Sequence, residues 1–126
     1  MTRYETLSQI AKLAADRDIA KLAALSAEKS RLETKLTEIA KQRRDLRALP
    51  PSQQSEALKW TVWLEQTEKR VRTQIFEAAK KIEHAKQLAA RSYGKFRATE
   101  ILSEKAAKQA RLERNRKAER EGQPPE

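Results

Sequence analysis

The residue types that build most active sites are nearly missing from this chain. His84 is the single histidine and there is no cysteine, so a histidine-activated nucleophile, a thiolate or a thiolate metal site has nothing to draw on. Carboxylates are plentiful. Sets such as Glu28/Arg31/Lys35 and Glu65/Lys69, however, lie three or four residues from a base, the spacing of ion pairs on a helix surface. A paired-carboxylate site also needs a concave pocket. No glycine-rich phosphate loop and no metal-ligand spacing occurs. The chain is therefore expected not to be an enzyme, to use no cofactor and no metal, and to carry His84 as a solvated helix side chain.

The chemistry that remains is recognition. Leu58, Trp60, Val62, Trp63 and Leu64 form an apolar stretch in a polar protein. At about 100° per residue, Trp60 and Leu64 share one side of a helix while Leu58 and Val62 lie roughly opposite. A single partner helix covers only one of those sides. Such a belt closes the end of a core, docks a partner, or does both. A second set is basic: Lys105, Lys108, Arg111, Arg114, Arg116 and Lys117 stand against one acid, Glu113.

The elements that must position these residues follow from one interruption. Pro50-Pro51 divides an otherwise continuous helical pattern; glycine occurs only at Gly94 and Gly122, and the other prolines are Pro124 and Pro125. Proline has no amide donor and clashes inside a helix, so the pair reads as a hairpin loop. The expected fold is all-α, an antiparallel two-helix coiled-coil hairpin with a longer, overhanging C-terminal helix. Residues 1–121 make one hairpin, with helices over 3–47 and 53–118 and a loop over 48–52; residues 122–126 make a disordered end. Thr2 and Glu5 fit a capping box at the first start, and Ser52 is the expected cap of the second helix.

Leu22, Leu25, Leu32, Leu36, Ile39 and Leu46 occupy a heptad seam, with Lys29 and Arg43 at its remaining positions. Upstream, Leu7, Ile10, Leu13 and Ala14 follow a shifted register, so the seam is expected to slip near residues 16–19. The facing seam is expected through Trp60, Leu64, Thr67, Val71, Ile75, Ala78, Ile82, Ala85, Ala89, Ser92 and Phe96, with a stutter between Val71 and Ile75. Gly94 marks a soft point or a close helix contact. Folding about residues 50–51 sets residue 3 beside residue 98. Residues from 99 to 118 are then unpartnered, an overhang of some 30 Å at about 1.5 Å per residue.

Composition agrees with a narrow seam. Only 38% of residues are hydrophobic and 37% are charged, too lean for a globular core. A net charge of +10 admits acidic proteins, nucleic acid and anionic lipid as partners. Against nucleic acid stand the missing aromatic interleaving and the lack of a recognised module. Against lipid stands the shortage of bulky apolar residues in the overhang beyond Ile101, Leu102 and Leu112. No apolar run approaches the roughly 18 residues of a membrane span, no signal peptide is legible, and the absence of cysteine fits a reducing cytoplasm.

Several segments together resemble the FliJ family of flagellar type III export proteins and the related YscO-type stalks of virulence secretion. They are Tyr4-Glu5-Thr6-Leu7 with Ile10-Ala11 and Leu13, Asp18-Ile19-Ala20 with Leu22, and Trp63 with the charged Leu64–Arg72 run. The likeness continues through Ala90-Arg91-Ser92-Tyr93-Gly94-Lys95-Phe96-Arg97-Ala98 and Ile101-Leu102-Ser103-Glu104-Lys105. The resemblance implies a coiled-coil stalk, cytoplasmic and peripheral to the inner membrane. Its terminal end would enter the hexameric export ATPase through Lys105, Lys108, Arg111 and Arg114. Its hairpin tip, with Trp60, Trp63, Leu64 and Val71, would meet the cytoplasmic domain of the export-gate membrane protein, and the stalk would help cycle export chaperones. Two other readings of the residues stay open: a basic coiled coil that binds nucleic acid, and a structural coiled coil that dimerises.

Overall fold

Thr2 opens the first helix. Its hydroxyl accepts the Glu5 amide at 3.2 Å while the Glu5 carboxylate accepts the Thr2 amide at 3.1 Å, closing the capping box. The described residues, 2–122 in a computed structural model, then form helix α1 (Arg3–Arg47), a 3-10 turn (Pro51–Gln53) and helix α2 (Gln54–Arg120). The two helices pack against each other as an all-α hairpin, without strands among the described residues. At the turn Pro50 is extended (φ −58°, ψ 153°) and its carbonyl accepts the Gln53 amide at 2.9 Å. The expected Ser52 cap does not form. Instead the Gln54 side chain donates to the Leu49 carbonyl at 2.5 Å and ties the two helix ends together. Gly122, at φ 75°, closes α2 by donating to the Glu119 carbonyl, a left-handed conformation that glycine adopts without strain. The rest of the expected disordered end, 123–126, lies outside the described residues.

Contacts divide the chain into two units, Lys21–Lys86 (the loop unit) and Met1–Ala20 with Gln87–Glu126 (the terminal unit). The loop unit holds the large aliphatics. Leu32, Ile39, Leu64, Val71 and Ala78 form its core, with Leu36, Leu46 and Ile75 packed against them. On α1 the inward positions are those of the expected seam, Lys29 and Arg43 included as half-buried members. On α2 the seam begins differently. Ala57 and Thr61 point inward where Trp60 was expected, Glu68 is half-buried beside the equally half-buried Thr67, and 57, 61, 64, 68, 71, 75, 78, 82 and 85 alternate steps of four and three without a stutter. At that level Glu68 faces the half-buried Arg43, whose guanidinium lies 2.6 Å from it and 3.3 Å from Glu65.

Glu68 is also 2.9 Å from Arg72. The hydrogen bond from Arg72, backed by the charges of Arg43 and Arg72, outweighs partial burial and holds the Glu68 carboxyl below its ordinary value of 4.5. A carboxylate more acidic in the folded than the unfolded chain adds stability above the unfolded value and loses it as pH falls through the folded one. Thermal melts are therefore expected to drop more steeply below about pH 4.5 in the native chain than in Glu68→Gln. Equal slopes would remove this network from the acid response.

The terminal unit has a leaner seam. Ala15, Asp18 and Ala89 are buried, and Ser8, Ala11, Ser92, Phe96, Thr99, Ser103 and Ala106 are half-buried. The expected slip near residues 16–19 does not occur. Ser8, Ala11, Ala15 and Asp18 keep the heptad phase of Leu22 and Leu25, which leaves Leu7, Ile10 and Leu13 at 41%, 60% and 71% exposure. A helix without proline or glycine has no cheap way to rotate its inward face, so the phase set by the leucines persists. Asp18 accepts a hydrogen bond from Ser92 across the pair. That pairing sets Arg3 opposite a residue near 107, not 98, so α2 extends past the start of α1 from about residue 108 and the overhang is nearer 20 Å than 30. The hairpin is displaced because the 3-10 turn and the first turn of α2 lie beyond the end of α1. Gly94 meets nothing within 4 Å of where a Cβ would stand, so it makes no close contact, and α2 continues through it.

Candidate docking surfaces

In a heptad lettered a to g with a and d inward, positions g and c line one side of an antiparallel pair and positions e and b the other. In the loop unit this separates the apolar belt cleanly. Trp60 (g) and Trp63 (c) stand on one side, at 57% and 50% exposure, while Leu58 (e) and Val62 (b) are exposed on the other. The two indoles contact edge to face, with centroids 6.0 Å apart and planes at 85°. They wall a concavity of about 460 Å³ floored by Leu46, Leu49 and Leu64, with Asp45 at its edge. Leu64 and Val71, expected to meet a partner, are buried in the seam, where Leu64 floors the concavity and Val71 lines the depression further along.

From Trp63 the depression continues along the same side, past Thr67 to Lys35, Arg70 and Gln74. Lys35 and Arg70 make no ion pair among the described residues, although Arg70 donates to the Thr67 hydroxyl at 3.4 Å. The groove therefore has an aromatic end beside Asp45 and, past Glu38, an end lined by Lys35 and Arg70, suited to a segment with a bulky apolar side chain at one end and a carboxylate at the other. Lys35 and Arg70 were not singled out in the sequence. Their g and c positions beside Trp60 and Trp63 were the available signal, and it depended on the corrected seam.

The expected basic residues lie in the terminal unit and are exposed. Lys105 flanks the paired seam, one residue before Ala106, while Lys108, Arg111 and Arg114 follow it. Each step of three residues turns the next side chain by about 60°, so the four spread over half the circumference of α2 and do not share one narrow face. His84 is exposed at a c position, and no group of three or more histidine or acidic residues capable of holding a metal occurs among the described residues. No described helix is long and apolar enough to cross a membrane. Comparison with protein-family models, with characterised proteins and with solved structures finds no match.

Proposed function

We propose that this protein is a non-enzymatic stalk or adaptor of a flagellar or type III protein export apparatus, acting in the cytoplasm beside the inner membrane. The observation that carries the proposal is the exposed Trp60–Trp63 pair with its cationic extension, a docking surface built on a coiled-coil hairpin. Tryptophan in a partly walled groove is the commonest kind of interface anchor. In this role the groove meets the cytoplasmic part of the export gate. The C-terminal end of α2, with Lys108, Arg111 and Arg114, enters the bore of the hexameric export ATPase and favours ring assembly. Lys105 stands where the paired segment ends. The gate, the ATPase and the export chaperones are the partners.

The test is the hydrolysis rate of an export ATPase with and without the full chain at near-physiological salt. Stimulation is expected, and deletion of residues 108–126, which leaves the paired seam whole, is expected to abolish it. Trp60→Ala with Trp63→Ala should leave stimulation intact and weaken binding to the gate domain at least about tenfold. No stimulation, together with duplex DNA binding that collapses between low and moderate salt, would replace the stalk by a nucleic-acid binder.

A further inference from the structure

The straight seam of the terminal unit leaves a second apolar row on α1, and the charges around it are not randomly placed. With Ser8 and Ala15 at a and Ala11 and Asp18 at d, the g and c positions of α1 are Leu7, Ala14, Arg3, Ile10 and Arg17. On α2, with Ala89, Phe96 and Ser103 at a, the same side carries Leu88, Lys95 and Leu102 at g, with Arg91, Ala98 and Lys105 at c. The Asp18–Ser92 pairing sets Leu7 and Leu102 at one level and Ala14 and Lys95 at the next. Leu7, Ile10, Leu88 and Leu102 are all exposed on this side.

Every charged residue on the g/c side is basic: Arg3, Arg17, Arg91, Lys95 and Lys105. The acids of the same paired stretch, apart from seam residue Asp18, are Glu5, Asp16, Glu100 and Glu104, and all four occupy e or b positions on the opposite side. Arg17 lies 3.5 Å from Asp18; the other four bases make no ion pair among the described residues. We propose that the g/c side of the terminal unit is a docking groove for an acidic amphipathic α-helix of a partner protein. That helix lays its apolar row over Leu7, Ile10 and Leu102 and flanks it with carboxylates that meet Arg3, Arg91, Lys95 and Lys105.

Charge selects this occupant. A second copy of the chain would bring the same five bases against themselves, a like-charge juxtaposition. A phosphate backbone would leave Leu7, Ile10 and Leu102 facing a polar strand, and this side has no aromatic on which bases could stack. A lipid surface needs a wider apolar face than these few aliphatics. The proposal stands whether or not the export role holds, because it uses the paired stretch, neither the tip nor the C-terminal end of α2.

The test uses the full chain and a fluorescent synthetic helix of about 20 residues, enough to span the groove, with leucine at a and d and glutamate at e and g. Anisotropy is expected to show saturable binding, weakened at least about tenfold by Ile10→Asp and by Arg91→Glu with Lys95→Glu. The e/b control Lys12→Glu should bind as the native chain does. Circular dichroism checks that each variant folds; all substituted residues are exposed. The proposal is overturned if a peptide with lysine in place of glutamate binds equally, if the control weakens as much as the groove variants, or if the acidic peptide does not bind. It is also overturned if vesicles of equimolar phosphatidylcholine and phosphatidylserine bind in its stead with the same groove dependence, which would make a membrane the occupant.

Discussion

Val71→Asp is expected to unfold the loop unit. Val71 is the most buried large side chain, at 1% exposure, and it sits among Leu32, Ile39, Leu64 and Ala78. Lys35 and Arg70 line the groove beside Val71 but are themselves exposed, so a carboxylate packed among Leu32, Ile39 and Leu64 is desolvated away from them. Burying an unpaired charge costs about 4 kcal/mol or more, comparable with the whole stability of a small domain. Helical circular dichroism should fall sharply at room temperature. Val71→Ala, which loses only transfer and cavity energy of roughly 1–3 kcal/mol, should remain folded with a lower melting temperature. A folded Val71→Asp would mean that this core does not hold the hairpin together.

The second large effect is a difference in stability between the two units. The loop unit buries leucine, isoleucine and valine, each contributing about 1.5–3 kcal/mol when fully buried, whereas the terminal unit closes on alanine, serine and threonine with one half-buried phenylalanine, Phe96, and one buried aspartate. Amides over 64–78 are accordingly expected to exchange with solvent at least about a hundredfold more slowly than those over 92–106. Replacing Asp18 and Ser92 together by leucine should narrow the gap, because a buried polar pair is often less stabilising than apolar residues in its place. Uniform protection along both helices would show that the units open as one.

How much of this was open to reading differs by residue. The capping box at Thr2 and Glu5 and the Pro50-Pro51 turn were legible because each is fixed by a few neighbouring residues. The seam from Leu22 to Leu46 was legible because only one face of that segment is aliphatic. Upstream, two faces compete: Leu7, Ile10 and Leu13 repeat at helical spacing, and so do Ser8, Ala11, Ala15 and Asp18. Hydrophobicity favours the first, yet the second is inward. Phase continuity along a stiff helix and the Ser92 hydroxyl opposite Asp18 decide between them, and neither is a local property of the sequence.

The tryptophans follow the same logic. Their exposure could not be separated from a seam position while Trp60 and Ala57 were both available to begin the pattern. The four-three phase that runs from Ala57 to Ala85 leaves both indoles outside it and sets Glu68 against Arg43 across the pair. Two long helices, their turn and the aliphatic core between them follow from local chemistry, since propensity, proline and periodicity act within a few residues. The axial offset of the pair, the inward face of the first 20 residues, and with them which apolar and basic side chains are left for partners, follow from packing. Those depend on what each helix meets, and side chains that meet are far apart in the chain.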